Sequence, residues 1–375
     1  DSLNTVRPLW GAPLRYRAQA PRPAAHPPSV LLISLDTLRA DRLGCYGYER
    51  NTSPHLDRFA EQSVLFETAI APAPWTSPSH ASAFTGISPL VHQAGVLAAG
   101  YHLSGGYVTL AEHLRDAGYL TAAITEGVAM RGRLGFAQGF ERYDEGLHPE
   151  SHATGRVEHT FATAEQWLAR YGHLPFFLFV HTYEPHAPYD APDDILAQYV
   201  DLNDPAETRI PKLDHTPAER AHASNRYDAG IAYTDRALGG FLARVREMEL
   251  LEDTLVIVFS DHGEAFWEHG IAGHTSGLHD PQLHVPLIVR FPGAAHGGTR
   301  VPRQVGLSDI FATTLDVLGF EVPAGLDAAS LRPLAQAPET GAYPRPHVVS
   351  NLVIEQPIPG VDPRYRELRS LRTGA

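Results

Sequence analysis

Leu255-Val256-Ile257-Val258-Phe259-Ser260-Asp261-His262-Gly263-Glu264 is an unbroken apolar run that stops abruptly at a serine, three ionisable side chains and a glycine. Five apolar residues are enough for a strand and too few for a helix. The run is continuous rather than alternating, so both faces of the strand expect burial, as in a parallel sheet covered by helices. Val30-Leu31-Leu32-Ile33-Ser34-Leu35, followed by Asp36, repeats the pattern. So does Phe176-Phe177-Leu178-Phe179-Val180, followed by His181, and Val285-Pro286-Leu287-Ile288-Val289-Arg290 has the same apolar character. In open parallel sheets ligands bind outside the carboxyl ends of the strands. Asp36, His181 and the Asp261–Glu264 turn are therefore expected on one edge, despite their separation in sequence. Any one of them alone is better explained as the cap of a following helix. Three at equivalent places point to a site.

Helical signals fill the intervals. Ser53-Pro54 is an N-cap followed by proline at the first helical position, leading into 55–63, and Thr216-Pro217 opens a long segment from about 218 to 249 in the same way. Leu110–Ala117 is amphipathic and stops at Gly118, and 159–171 forms a further helical segment. Strands alternating with helices predict a doubly wound α/β sandwich. Prolines at 8, 13, 21, 23, 27 and 28 exclude helix interiors and central strands from residues 1–28, which read as an extended arm or linker, with a disordered tail as the equal alternative. The Pro- and Asp-rich stretch 190–215 reads as a surface excursion.

Composition narrows the function classes. The chain has 375 residues and a net charge of −13, which argues against nucleic acid as an electrostatic partner. No apolar run approaches the roughly 18–20 residues of a membrane helix. The single cysteine, Cys45, cannot form an internal disulfide or a Cys-based zinc site and reads as a small buried residue. The chain begins at Asp1 without Met, which a removed signal peptide or an artificial boundary would each explain. An extracytoplasmic location, periplasmic or secreted, is the expectation. Histidine is the informative excess, at 21 residues.

One more segment carries chemistry. In Pro74-Trp75-Thr76-Ser77-Pro78-Ser79-His80, Thr76 stands just before an expected helix start, with Pro78 in the first turn. A helix N-terminus offers free N–H groups and positive partial charge, which favour an alkoxide on Thr76 and an anion bound beside it. A plain N-cap is the alternative.

Together these segments resemble the sulfatase family of the alkaline-phosphatase-like superfamily. The opening Leu35-Asp36-Thr37-Leu38-Arg39-Ala40-Asp41 resembles its first metal segment, and Thr76 to His80 lies where the family has Cys/Ser-x-Pro-Ser-Arg. His181 to Tyr189, with His186, resembles its Pro-His-x-Pro-Tyr segment. Ser260 to Glu264 resembles the second metal segment, and Gly273-His274 the segment of a substrate-binding Lys or His. Leu307-Ser308-Asp309-Ile310 resembles the stretch that closes the domain. The resemblance spans residues 29–330 and implies a catalytic domain there, with 331–375 a remnant of a small C-terminal subdomain and Pro344–Ala375 expected to be only partly ordered.

The resemblance implies a metal-dependent ester hydrolase in which Asp36, Thr76, Asp261 and His262 bind one divalent ion. Zn²⁺ or Mn²⁺ is favoured over Ca²⁺, because an imidazole replaces an oxygen ligand. It implies further that Thr76 attacks the ester and forms a covalent intermediate. His186 and His274 are candidates for contacting the anion or protonating the leaving oxygen, and His80, one turn beyond Thr76, for contacting the same anion; a structural imidazole is the equal alternative for each. His181, His186, His274 and His279, with Glu184 and Asp190, leave a second ion open.

The departures from the family pattern are also informative. A threonine cannot be oxidised to formylglycine, since its Cβ carries a methyl. Thr37 stands where a second acid is usual, His80 stands for the signature Arg, and Thr125-Glu126-Gly127 lies near the place of Gly-Lys-Trp-His. A Thr nucleophile with a weak cationic shell favours phosphate esters, diesters over monoesters. A sulfatase, a phosphoethanolamine-type transferase, and a catalytically dead binding module on the same fold are the alternatives. The substrate is expected to be a small-molecule, glycan or lipid ester. The loops 92–106 and 187–215 carry no motif that names the leaving group.

Overall fold

Val30–Ile33 lies at the centre of an eight-stranded sheet. The computed structural model describes residues 27–95, 102–146, 156–204, 208–345, 347–353 and 367–373. The arm expected over residues 1–28 therefore lies almost wholly outside the described residues. The sheet strands are β1 (Ser29–Leu35), β2 (Val64–Phe66), β3 (Leu120–Ile124), β4 (Arg142–Asp144), β5 (Phe176–Thr182), β6 (Thr254–Phe259), β7 (Leu287–Arg290) and β8 (Arg300–Val301). Their spatial order is β8-β2-β7-β6-β1-β5-β3-β4. The three runs that end in candidate ligands are neighbours: β1 pairs in parallel with β5 on one side and β6 on the other.

The fourth run behaves differently from the other three. Pro286 splits it, so that His284–Val285 pairs with Ala69–Ile70 outside the main sheet, while β7 runs antiparallel to both β6 and β2. An apolar run has no intrinsic direction, and the antiparallel insertion leaves the sheet mostly parallel.

Strand alternation sorts the core into two layers. Val30, Leu32, Phe177, Phe179, Ile257 and Phe259 face one side, packed by helices Thr76–Thr85, Leu110–Asp116 and Asp309–Val317. Leu31, Ile33, Leu178, Val180, Val256 and Val258 face the other, packed by Pro54–Ala60, Arg156–Tyr171 and Pro217–Glu247. This is the doubly wound α/β sandwich. The two capping-box helices begin as their sequences require: Thr109 with Glu112, and Thr216 with Glu219, each close both reciprocal bonds.

The Thr76–Thr85 helix positions the site. All ten of its residues are buried. Phe84 holds it to the sheet edge-to-face against Phe179, ring centroids 4.9 Å apart. Burying a phenylalanine this fully contributes on the order of 2–3 kcal/mol, and such a contact tolerates little sliding.

At the C-terminal end, His347–Val353 and Glu367–Thr373 pair as antiparallel strands. Ser350 Oγ donates to the carbonyl of Ala71, and Arg345 pairs with the buried Asp309, which tie this segment to the main body.

Candidate active site

Side-chain parity aims the ligands. Asp36 continues the Val30–Leu32–Ser34 face, His181 the Phe177–Phe179 face, and Asp261 the Leu255–Ile257–Phe259 face, so all three lean towards the Thr76–Thr85 helix. Asp36, Asp261 and His262 are completely buried, and a ligand atom from each falls within 4.8 Å of the others. Thr76 Oγ1 donates to Asp36 Oδ2 at 3.2 Å and lies 3.4 Å from His262 Nε2. His262 Nε2 is also 3.4 Å from Asp261 Oδ2. The four residues expected as metal ligands are thus gathered at one point.

The electrostatics of the cluster fit a cation. Asp36 Oδ1 and both carboxylate oxygens of Asp261 are buried without a hydrogen-bond partner. Leaving ionised oxygens bare in a protein interior is costly. Burial, followed by the charges of Asp261 and Glu264, pushes the Asp36 carboxyl well above its usual range. Burial raises Asp261 as well, against the opposing pull of His80. Burial drives His262 towards the neutral, ligating form. Two carboxylates, an imidazole and a hydroxyl form a donor set that a divalent ion satisfies.

His80 turns inward rather than towards the anion space. It is fully buried among Phe84, Phe179 and Phe259. Its Nδ1 meets the carbonyl of Thr76 at 2.9 Å, and its Nε2 meets Ser34 Oγ at 2.8 Å. A carbonyl only accepts, so the proton is assigned to Nδ1 and Nε2 accepts from the serine. Nδ1 is also 3.5 Å from Asp261 Oδ2. His80 therefore braces Thr76 and Asp261 from behind, which corrects the expectation that it faces the substrate.

His186 and His274 do come together, with ring centroids 4.9 Å apart, and His274 lies 4.7 Å from the His262 ring. The pairing of His274 with Glu264, and of Glu264 with Tyr189, escaped sequence reading. Its Nδ1 pairs with Glu264 Oε1 at 2.9 Å, and Glu264 Oε2 accepts from the Tyr189 hydroxyl at 3.2 Å. Burial pulls the His274 pKa down, but the charge and hydrogen bond of Glu264 outweigh it and hold it above 6.5. Glu264 is held low in turn by His274, against burial. The signal available in sequence was the spacing of Glu264 two residues after His262.

Of the residues considered for a second ion, Asp190 and His279 are engaged elsewhere. Asp190 pairs with Arg209 and Arg226, and His279 stacks on His269 with centroids 3.9 Å apart. His181 lies beside the first cluster, its Nε2 3.4 Å from Asp36 Oδ2. Among the described residues, Asp36, Asp261 and His262 form the metal-type cluster. Glu126 is a buried anchor, accepting from Thr160, Thr182 and the Tyr183 backbone N–H.

Cluster, helix N-terminus and sheet edge together define the metal-dependent hydrolases of the alkaline-phosphatase-like class. Within that class the chain belongs to the sulfatase family, whose model matches residues 28–320. The chain is 26% identical to an ulvan-active sulfatase of Formosa agariphila, over 92% of this chain and 71% of that protein. It is 26% identical to human iduronate 2-sulfatase over 71% of this chain, and spans 60% of that protein's length. Among solved structures, phosphonate monoester hydrolase of Agrobacterium radiobacter superposes with a TM-score of 0.76 at 22% identity, covering 92% of this chain and 86% of that one. Enzymes of the family use a divalent metal ion. No helix among the described residues is long and apolar enough to cross a membrane.

Proposed function

We infer that the protein hydrolyses phosphate esters, diesters in preference to monoesters, with Thr76 as the nucleophile. The observation that carries this reading is the Thr76 hydroxyl, at the first residue of a buried helix and within 3.4 Å of both Asp36 and His262. The methyl on its Cβ closes the route to a formylglycine. Asp36, Asp261, His262 and Thr76 hold the ion, with Zn²⁺ or Mn²⁺ favoured by the imidazole. The ion supplies Lewis-acid stabilisation of charge on the ester and on the attacking oxygen.

The chain's own residues do the rest. Thr76 releases its proton along the hydrogen bond to Asp36 and forms a bond to phosphorus as the bond to the leaving oxygen breaks. His274, with Nδ1 fixed on Glu264, gives a proton from Nε2 to that oxygen. Water then attacks phosphorus, His274 Nε2 takes its proton, the bond from phosphorus to Thr76 Oγ1 breaks, and Asp36 returns the proton to that oxygen; a diester thus leaves as a phosphate monoester, and a monoester as inorganic phosphate. The named groups around Thr76 are carboxylates and imidazoles. The guanidinium of Arg39 is committed to Asp41, Glu268 and the Glu264 carbonyl. A weak cationic shell suits a singly charged ester group.

A sulfate monoester is also singly charged, and the sulfatase relatives favour that second reading. An aryl phosphodiester, an aryl phosphomonoester and an aryl sulfate, each assayed with Mn²⁺ and with Zn²⁺, separate the two. Phosphoester turnover that disappears in Thr76→Ala, with a phosphoryl group trapped on the wild-type peptide containing Thr76, is the expected result. Dominant sulfate turnover overturns the phosphate reading, and turnover that survives Thr76→Ala overturns the nucleophile. Transfer to an added alcohol in place of water identifies a transferase.

A further inference from the structure

Thr37, immediately after the ligand Asp36, has φ +57° and is fully buried. A β-branched residue in the left-handed region is rare and strained, and it persists only where its surroundings over-determine it. Two hydroxyls from distant parts of the chain surround this turn. The Tyr227 hydroxyl donates to the Thr37 carbonyl at 2.6 Å and accepts from the Arg39 N–H at 3.0 Å. The Ser260 hydroxyl accepts from the Leu38 N–H at 2.9 Å and donates to the His262 carbonyl at 2.7 Å. Each hydroxyl is therefore used in both senses, and together they engage backbone groups of three consecutive residues after Asp36.

We propose that Tyr227 and Ser260 are positioning residues that hold the strained Thr37 turn, and through it Asp36, in register with Asp261 and His262 for a divalent ion. This rests on the metal reading above. Asp36 reaches the cluster from β1, whereas Asp261 and His262 follow β6. The strands pair up to Ser34 and Phe259, and sheet hydrogen bonds between them stop before the ligands begin. Ser260 bridges that gap directly, from Leu38 on one side to His262 on the other. Tyr227 reaches in from the long helix, its ring fixed against Tyr189 and Phe266 at centroid distances of 5.5 and 4.9 Å. Loss of its hydroxyl leaves that packing intact and leaves the Thr37 carbonyl and Arg39 N–H unheld. Thr37 is then free to relax to negative φ, which rotates the peptide that carries Asp36 away from the ion. Groups that orient metal ligands without touching the metal typically set affinity by ten- to a hundredfold.

The test is calorimetric titration of Mn²⁺ into the metal-stripped full chain, with the melting temperature of each metal-free variant recorded alongside. Tyr227→Phe is expected to weaken Mn²⁺ binding about tenfold with little change in the metal-free melting temperature. Ser260→Ala is expected to behave likewise. In a Thr37→Gly background, where positive φ carries no strain, Tyr227→Phe is expected to cost at most about threefold. Unchanged Mn²⁺ affinity in Tyr227→Phe and Ser260→Ala overturns the proposal. So does the same loss with and without Thr37→Gly, or a loss of affinity matched by a fall in metal-free stability. A wild-type protein that binds no Mn²⁺ overturns the metal reading together with the clamp, whereas normal wild-type binding with unaffected variants overturns the clamp alone.

Discussion

Glu264 and His274 meet at 2.9 Å, with Nδ1 donating, and the second oxygen of Glu264 is taken by Tyr189. The carboxylate is buried to within 1% of full coverage, so its orientation of the imidazole is not shared with water. Such a pair fixes the tautomer and leaves Nε2 as the second site of protonation, on a ring centred 4.7 Å from that of His262. Glu264→Gln keeps the shape and removes the charge. Steady-state kinetics are expected to show kcat reduced by about 10²-fold or more with KM little changed, because the lost interaction matters most once charge develops on the imidazole. A variant with unchanged kcat would remove His274 from proton transfer.

The bare oxygens of Asp36 and Asp261 make a second prediction. Without an ion, Asp36 and Asp261 repel one another in a buried setting. Asp261→Asn is expected to raise the melting temperature of the metal-stripped protein while abolishing the further rise that Mn²⁺ gives the wild type. At a hundredfold excess of ion over Kd that rise corresponds to about 2.7 kcal/mol. Thermal scans with and without Mn²⁺ report both effects, and a metal-dependent shift that persists in Asp261→Asn contradicts the assignment.

His92 gives the fold an acid-sensitive joint. Its Nδ1 accepts from the Ala94 N–H at 3.0 Å, and its Nε2 meets Ser82 Oγ at 3.0 Å, so the ring is held neutral against the Thr76–Thr85 helix. Burial lowers its pKa to about 4 from an ordinary 6.5. Between those values the unfolded chain binds the extra proton and the folded chain does not. Stability therefore rises with pH across the window and is lost as pH falls from 6.5 to 4. The loss from this one group reaches about 3 kcal/mol. His92→Gln, whose amide can both accept and donate, is expected to show a flatter dependence in denaturant titrations over that range. A wild-type slope retained by the variant would assign it to other groups.

Asp228 supplies a stability prediction away from the chemistry. It is wholly buried on the long helix and neutralised by Arg42 and Arg50, at 3.0 and 2.5 Å, with Tyr48 donating at 2.7 Å. Asp228→Ala strands the largely buried Arg42 guanidinium and the Tyr48 phenol, whereas Arg50 keeps Asn225 and reaches solvent, and the change is expected to cost about 3 kcal/mol. Chemical denaturation measures it. A loss below about 1 kcal/mol would place the arginines in water rather than against the helix.

Much of the fold was legible in residue order. The runs before Asp36, His181 and Asp261 are continuous and apolar because both faces are covered, and that pattern survives translation into the structure directly. Thr216-Pro217 likewise marks a helix start through local chemistry. Pro54 does begin a helix, but the Ser53 side chain does not cap it; Asp235 of the long helix accepts from His55 and Leu56 N–H instead. The antiparallel course of Leu287–Arg290 was not legible, because hydrophobic patterning records burial and carries no direction. The inward turn of His80 was hidden for a related reason. Helical spacing puts it on the face of Thr76, and only the packed sheet decides that this face looks at Ser34 and Phe179.

By itself the sequence determined which residue types stand at the strand ends, the α/β layering and the presence of Thr76 in place of an oxidisable residue, since these depend on local periodicity and side-chain chemistry. Tertiary structure alone decided which oxygens lie bare together, that Glu264 and Tyr189 govern His274, and that Tyr227 holds a turn 190 residues away. Those relations depend on distances between groups far apart in the chain, and distance enters only when the layers close on one another.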